Sequence, residues 1–292
     1  MPHHHATMGS WEIALALTFI LASVASTYLR GWLLLRSTDG RTQVWRAGSF
    51  LGGLLLIWIA VASPIAALDH QLLTVHMIQH LLLMTLAPPL LWLGEPLMAF
   101  ASSLPRRFVN ASAFRSQLLL KTGKILTQPA FCLFAASAAL VCWHIPAAFA
   151  VGMKSETWHM IQQATFFATG LLFWWPVVRP WPSVARPEVS TILYLFFATI
   201  PCDILSGFLV FCDRVIYPDY LSSSHLFGFS ALGDQQCAAA LMWTCVTLVY
   251  LVAGAVLTIH LLSPQNAEAD KMIRSDWDAA RPFLVRRRVE SI

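Results

Sequence analysis

The stretch HMIQHLLLM, residues 76–84, sets two imidazoles and a thioether at helical spacing inside an otherwise apolar run. Residues four apart on a helix share a face, so His76, His80 and Met84 form one stripe that can serve a single ion or successive positions of an ion. Neutral imidazole suits copper, zinc and iron, whereas thioether and thiol sulfur select copper(I). Copper(I) is therefore the expected ion. Haem is the competing reading, because paired histidines on neighbouring membrane helices also ligate haem iron. Taken alone, each ring has a plainer use as a hydrogen-bonding group between helices, and each methionine as a filler of apolar gaps.

The elements that must position this stripe are membrane helices. Hydrophobic residues make up 57% of the 292-residue chain and charged residues 12%, against roughly 25% charged in soluble domains. A hydrocarbon core of about 30 Å takes roughly 20 apolar residues per helix. Seven runs qualify, at about 11–29, 47–63, 72–93, 129–145, 157–178, 189–211 and 237–262. The predicted fold is all-α: one polytopic membrane domain over residues 1–292, a seven-transmembrane-helix bundle with its core at about 11–262 and a charged cytoplasmic tail at 263–292. The first run is too long for a signal-peptide core and lacks a small-residue cleavage site after it, so it is read as retained. Of the 19 Lys and Arg residues, 17 follow the first, third, fifth and seventh runs, and only Lys154 and Arg214 lie in the opposite connections. The positive-inside rule then places the N-terminus outside and the C-terminus in the cytoplasm. The net charge of +4 is thereby a topology signal, and a nucleic-acid partner is not expected; the lipid bilayer is.

That topology gathers polar groups at one depth. His70 falls at the outer boundary of the third run and His76 and His80 in its outer half, while His144 in CWHIP and His159 in SETWHMIQQ lie at the outer ends of the fourth and fifth. TIPCDILSG brings Asp203, and GDQQ brings Asp234 and Gln235, to the same level. Ionisable groups in a span cost a few kcal/mol and face a bundle interior or a polar cavity. The candidate ligands are His76, His80, His144 and His159 with Met84. Asp203, Asp234, Gln235, Gln163 and His70 are candidates to orient them through hydrogen bonds, and Asp234 fits equally as the N-cap of the seventh run. The six cysteines form no C-x-x-C pair and default to packing, although Cys142, Cys202, Cys212 and Cys237 sit at outer ends where a disulfide or a metal–thiolate contact is open. No G-x-x-x-x-G-K-[ST], G-x-S-x-G or H-E-x-x-H occurs, so the chain is expected not to be an enzyme. APPLLWLGEP and WHIP should close the third and fourth helices, the tryptophans of FWWPVVRPWP should anchor an interface, and residues about 98–124 should include a surface helix. His3, His4 and His5 form a terminal imidazole cluster that can also capture metal.

Three segments carry a resemblance: SPIAALDHQLLTVHMIQHLLLMTLAPPLLWLGEP, WHIPAAFAVGMKSETWHMIQQATFFATGLLFWWPVV and ALGDQQCAAALMW. Over about residues 50–262 the chain resembles the CtaG-type cytochrome c oxidase assembly factors of bacteria. The ordered combination HMIQH, WHIP, FWWP and DQQ is far more specific than any one motif. The resemblance implies a seven-helix protein of the bacterial inner membrane, needed to make an active haem-copper oxidase and proposed to supply its copper. It implies an oxidase subunit as partner, adds a periplasmic copper chaperone as a second, and marks His76, His80, His144, His159, Asp234 and Gln235 as the characteristic polar positions. Four residues after His159, where the family often has a further histidine, this chain has Gln163, which hydrogen-bonds but is a poor copper ligand.

Overall fold

The computed structural model describes residues 6–39, 44–103, 125–178, 189–221 and 230–263, with Gly123 and Gly228. Among these the chain is 89% helix and has no strand. Two long apolar helices open it, α1 (Ala6–Asp39) and α2 (Val44–Val61). A 3-10 turn, Ala66–Leu68, leads into a rod made of α3 (Leu73–Leu81), a π-helical turn (Leu82–Leu86) and α4 (Ala87–Leu93), after which comes the short α5 (Pro96–Ser103). Then follow α6 (Pro129–His144), α7 (Pro146–Lys154), α8 (Glu156–Val178), α9 (Val189–Phe211), a 3-10 turn at Pro218–Tyr220, and α10 (Ala231–Leu262).

The protein is a multi-pass membrane protein. Among the described residues, five segments are long and apolar enough to cross a bilayer: α1, α2 with its following turn, the α3–α4 rod, α9 and α10. The α6–α7 pair, bent by 76°, raises the number to as many as six. The bend sits where WHIP places it: Ile145 is extended, with φ −63 and ψ 126, and Pro146 starts the next helix. The run expected as the fifth span forms the 23-residue α8, but with its polar opening, His159, Gln162 and Gln163, it is not among the segments apolar enough to cross a bilayer by length and composition.

The rod is the centre of the bundle. Within Leu73–Leu93, 61% of the residues are buried, against 33% or less in each of the other four spans. It packs on α10 along α3, and on α2 and α8 along α4. The main apolar core joins Met77 and Leu81 to Cys132, Phe173, Tyr194, Cys202, Met242 and Tyr250, and a second core unites Tyr28, Trp32, Phe50, Leu54 and Leu91. Phe19, Phe134, Ile204, Phe211 and Ile259 point outward, as expected where the solvent is lipid tails.

The tryptophans of FWWP also make contacts inside the bundle. Trp174 is 2% exposed and packs edge-on against Tyr250, and Trp175 stacks edge-on with Trp92 at 4.9 Å. Trp174 thus serves helix packing, half-buried Trp175 packs on the rod, and Trp181 lies outside the described residues. The tail after Ser263, His3–His5, and the expected surface helix beyond Ser103 lie outside the described residues, Gly123 and 125–128 excepted.

Candidate metal centre

The site is assembled at the end of the bundle where α3 begins. Leu72 is extended and offers α3 no side-chain cap, so the first N–H groups of that helix need an acceptor from elsewhere. Asp234 of α10 supplies it: Oδ2 accepts from Leu73 N at 2.7 Å, and Oδ1 accepts from Thr74 N at 3.1 Å and from the Thr74 hydroxyl at 2.6 Å. Its own helix is capped instead by the Ser230 hydroxyl, which accepts from Gly233 N at 3.0 Å. The capping function foreseen for Asp234 therefore serves a different helix, where a carboxylate also meets the positive end of the helix dipole.

Gln235 fixes the loop over this end. Its Oε1 accepts from Ile216 N at 2.7 Å and its Nε2 donates to Arg214 O at 3.1 Å. From that loop the Tyr217 hydroxyl donates to His144 O at 3.0 Å and the Tyr220 hydroxyl to Asp69 O at 2.7 Å. Burial pushes both phenols above their ordinary range, so each remains a neutral donor and ties the loop to two of the segments that carry histidines.

Beneath the loop the histidines converge. His76, His80, His144 and His159 are all buried. The Nε2 atoms of His76 and His80 lie 2.6 Å apart, so one ring donates to the other. His76 stacks on His159 with centroids 5.3 Å apart and planes 13° from parallel, and His80 packs on Phe166 at 4.3 Å. His144 Nδ1 lies 2.7 Å from Leu140 O of its own helix. That bond takes the Nδ1 proton and leaves the lone pair of neutral imidazole on Nε2. Among the described residues, His76 Nδ1, His80 Nδ1 and His144 Nε2 are buried polar atoms without a partner, a state that buried groups rarely tolerate.

A cavity of about 40 Å³ adjoins this cluster. His80 and His144 line it together with Met77, Met84, Met242 and Cys202. The π turn carries Met84, and its cause is visible in sequence: Pro88 and Pro89 have no N–H to give the carbonyls of Met84 and Thr85 four residues earlier, so the helix widens there. Such turns gather at functional sites. The remaining candidates go elsewhere. His159 and His70 turn to Asp69, with Nε2 atoms 3.5 and 3.8 Å from its two carboxylate oxygens. Gln163 lies between His159 Nε2 at 3.4 Å and Gln79 Oε1 at 3.5 Å. Asp203 is half-buried beside Cys202 and does not line the cavity. All six cysteines are free thiols.

The chain matches the family of cytochrome c oxidase caa3 assembly factors (Caa3_CtaG) over residues 26–263. It belongs to that family. The matched region of this Caa3_CtaG protein takes in every histidine of the cluster. Among curated proteins it is similar to uncharacterized proteins of Mycobacterium bovis and Mycobacterium tuberculosis, each 25% identical over 264 residues, which cover 87% of this chain. The alignment spans 39% of the length of those relatives. No solved structure matches it. Asp69 and Gln79 were not assigned from the sequence; Met77 and Met242 were legible as methionines near the histidine level, and Cys202 as an outer-end thiol open to a metal contact. The Asp-His pair at 69–70 was the one local signal for the first.

Proposed function

We propose that the chain is a non-catalytic assembly factor that holds copper(I) as cargo in its sulfur-lined cavity and presents it to a nascent haem-copper oxidase subunit. On this reading the protein is a seven-span bundle of the bacterial inner membrane with its N-terminus outside, since 17 of 19 basic side chains follow alternate spans. The histidines at the cavity's edge then lie toward the extracytoplasmic side, where a periplasmic copper chaperone can reach them.

The observation that carries the proposal is His144. A metal-binding histidine characteristically donates its other ring N–H to a carbonyl or carboxylate, and His144 does so to Leu140 O while its Nε2 is buried and unpartnered at the cavity wall. Lining the same cavity are His80, Met77, Met84, Met242 and Cys202, residue types whose donors suit copper(I). Few charges accompany these donors, so a univalent ion is favoured over a divalent one in so apolar a chamber. Haem fits less well, because about 40 Å³ is far below the roughly 300–1,000 Å³ of small-molecule and cofactor sites.

The test is copper(I) titration of the purified protein against a competing chelator under reductant, beside His144→Ala and Met84→Leu. The wild type should hold one copper(I) without a Soret band, and His144→Ala should lose it. A wild-type protein that binds no copper yet restores oxidase assembly in cells would overturn the reading.

A further inference from the structure

A second group of donors stands outside the sulfur-lined cavity. Asp69, in the turn before α3, and His159, near the start of α8, have side chains 7% and 9% exposed, while His70 is 50% exposed and opens the group to solvent. One ligand atom from each of the three lies within 4.8 Å of the others. The two carboxylate oxygens face one imidazole each: Oδ2 is 3.5 Å from His159 Nε2 and Oδ1 is 3.8 Å from His70 Nε2. The His70 and His159 rings meet edge-on with centroids 5.4 Å apart.

Those separations are too long for strong charge-assisted hydrogen bonds, which run at about 2.7–2.9 Å. Ligands at about 2.1 Å from a zinc-like ion sit about 3.4 Å from one another; the Asp69–His159 separation already matches that edge, and with all three ligand atoms within 4.8 Å the group needs to close by about an ångström to hold an ion. Asp69 is also a buried carboxylate that faces an imidazole with each oxygen. Its backbone is held independently, by Tyr220, whose hydroxyl donates to Asp69 O at 2.7 Å. The donor set is two imidazoles and a carboxylate with a solvent-facing side, which suits a divalent ion of the copper(II) or zinc class and leaves a position for water.

We infer that Asp69, His70 and His159 form a second metal site, for a borderline divalent cation, at the mouth of the bundle and separate from the sulfur-lined cavity. The two are neighbours, since His159 stacks on His76 and His76 touches His80, yet they differ in chemistry. Oxygen and nitrogen donors stand at the mouth, and nitrogen and sulfur donors stand inside. The mouth site does not depend on the copper(I) reading.

The experiment uses the full-length protein with His3, His4 and His5 replaced by Ala, so that the terminal imidazoles do not contribute. Copper(II) is followed by electron paramagnetic resonance and zinc(II) by calorimetry. We expect one copper(II) per chain with hyperfine structure from nitrogen ligands, displaced by zinc(II). His70→Ala and Asp69→Asn should each weaken both ions by more than the roughly 10–100-fold that loss of an outer-shell partner costs. Met84→Leu should leave them unchanged. His70 is half-exposed and its replacement removes only its edge contact with His159 and its approach to Asp69, and an unchanged circular dichroism spectrum establishes that the fold is intact. Binding in neither form, equal binding in wild type and His70→Ala, or loss of copper(II) in Met84→Leu would each overturn the second site. Copper(I) competition on the same samples reads the inner cavity separately, so failure of one site is distinguishable from failure of the other.

Discussion

At the scale of single residues, the centre depends on where each polar atom finds its partner. Asp234 satisfies two backbone N–H groups and a hydroxyl at the start of α3, and it is 3% exposed, so water cannot replace it. Asp234→Ala should therefore lower stability by about 1–3 kcal/mol, the usual cost of leaving a buried donor unsatisfied. Asp234→Asn keeps one acceptor oxygen and should cost less. Thermal unfolding of the purified variants checks the order, and an alanine variant that melts with the wild type would show that the bond contributes nothing. This residue also shows what a sequence can reveal. The polarity of DQQ at a membrane boundary is legible, and so is a capping role, but the helix it caps lies 161 positions away and leaves no local pattern. His76 and His80 are legible because their spacing is itself the geometry. Which ring nitrogens stay unpartnered is not legible, since that depends on the contact between the His76 and His80 rings and, for His144, on its bond to Leu140 O.

At the scale of elements, the π turn at Leu82–Leu86 and its neighbour α8 decide where Met84 stands. Gly170 brings the backbone of α8 against the turn: a methyl group added there would lie 2.7 Å from Met84 O, 2.9 Å from Met84 Cα and 3.0 Å from the Pro88 ring. Two of those atoms are backbone and cannot rotate aside. Gly170→Ala should cost about 1–3 kcal/mol by overpacking and, by displacing Met84, should weaken copper(I) binding as well. Gly254 in α10 is the matched control, because nothing lies within 4 Å of an added methyl, and Gly254→Ala should leave binding intact while raising helix stability by up to about 1 kcal/mol. Unfolding midpoints and chelator competition on the pair decide the matter; equal behaviour would remove the turn from the mechanism. Proline spacing made the α6–α7 break readable in advance, since a residue before proline avoids helical geometry. Pro88 and Pro89 likewise remove the N–H groups that would close an ordinary helical turn at Met84 and Thr85, but the approach of α8 to that turn at Gly170 belongs to the tertiary structure.

At the scale of the whole molecule, two asymmetries point in the same direction. The buried histidines, the Asp69 turn and the loop pinned by Gln235 share one end of the bundle, whose connections hold Lys154 and Arg214 among 19 basic residues. At the other end Arg46 pairs with Glu95 next to the α1–α5 contact. A loop with few Lys or Arg crosses a membrane more readily than a basic one, so the histidine end should be extracytoplasmic. Alkaline phosphatase, which is active only outside the cytoplasm, should work when fused after Tyr220 and fail when fused after Ser263, while a fluorescent protein fused after Ser263 should fold and emit. The reverse pattern would put the imidazoles on the cytoplasmic side, where thiol buffers compete for copper(I), and delivery to the outer face of an oxidase would then need a pathway through the apolar core around Phe173, Trp174 and Tyr250, whose side chains are buried against one another. On the proposed copper reading, the fusion result therefore decides more than orientation: it fixes the compartment from which the cavity would be loaded.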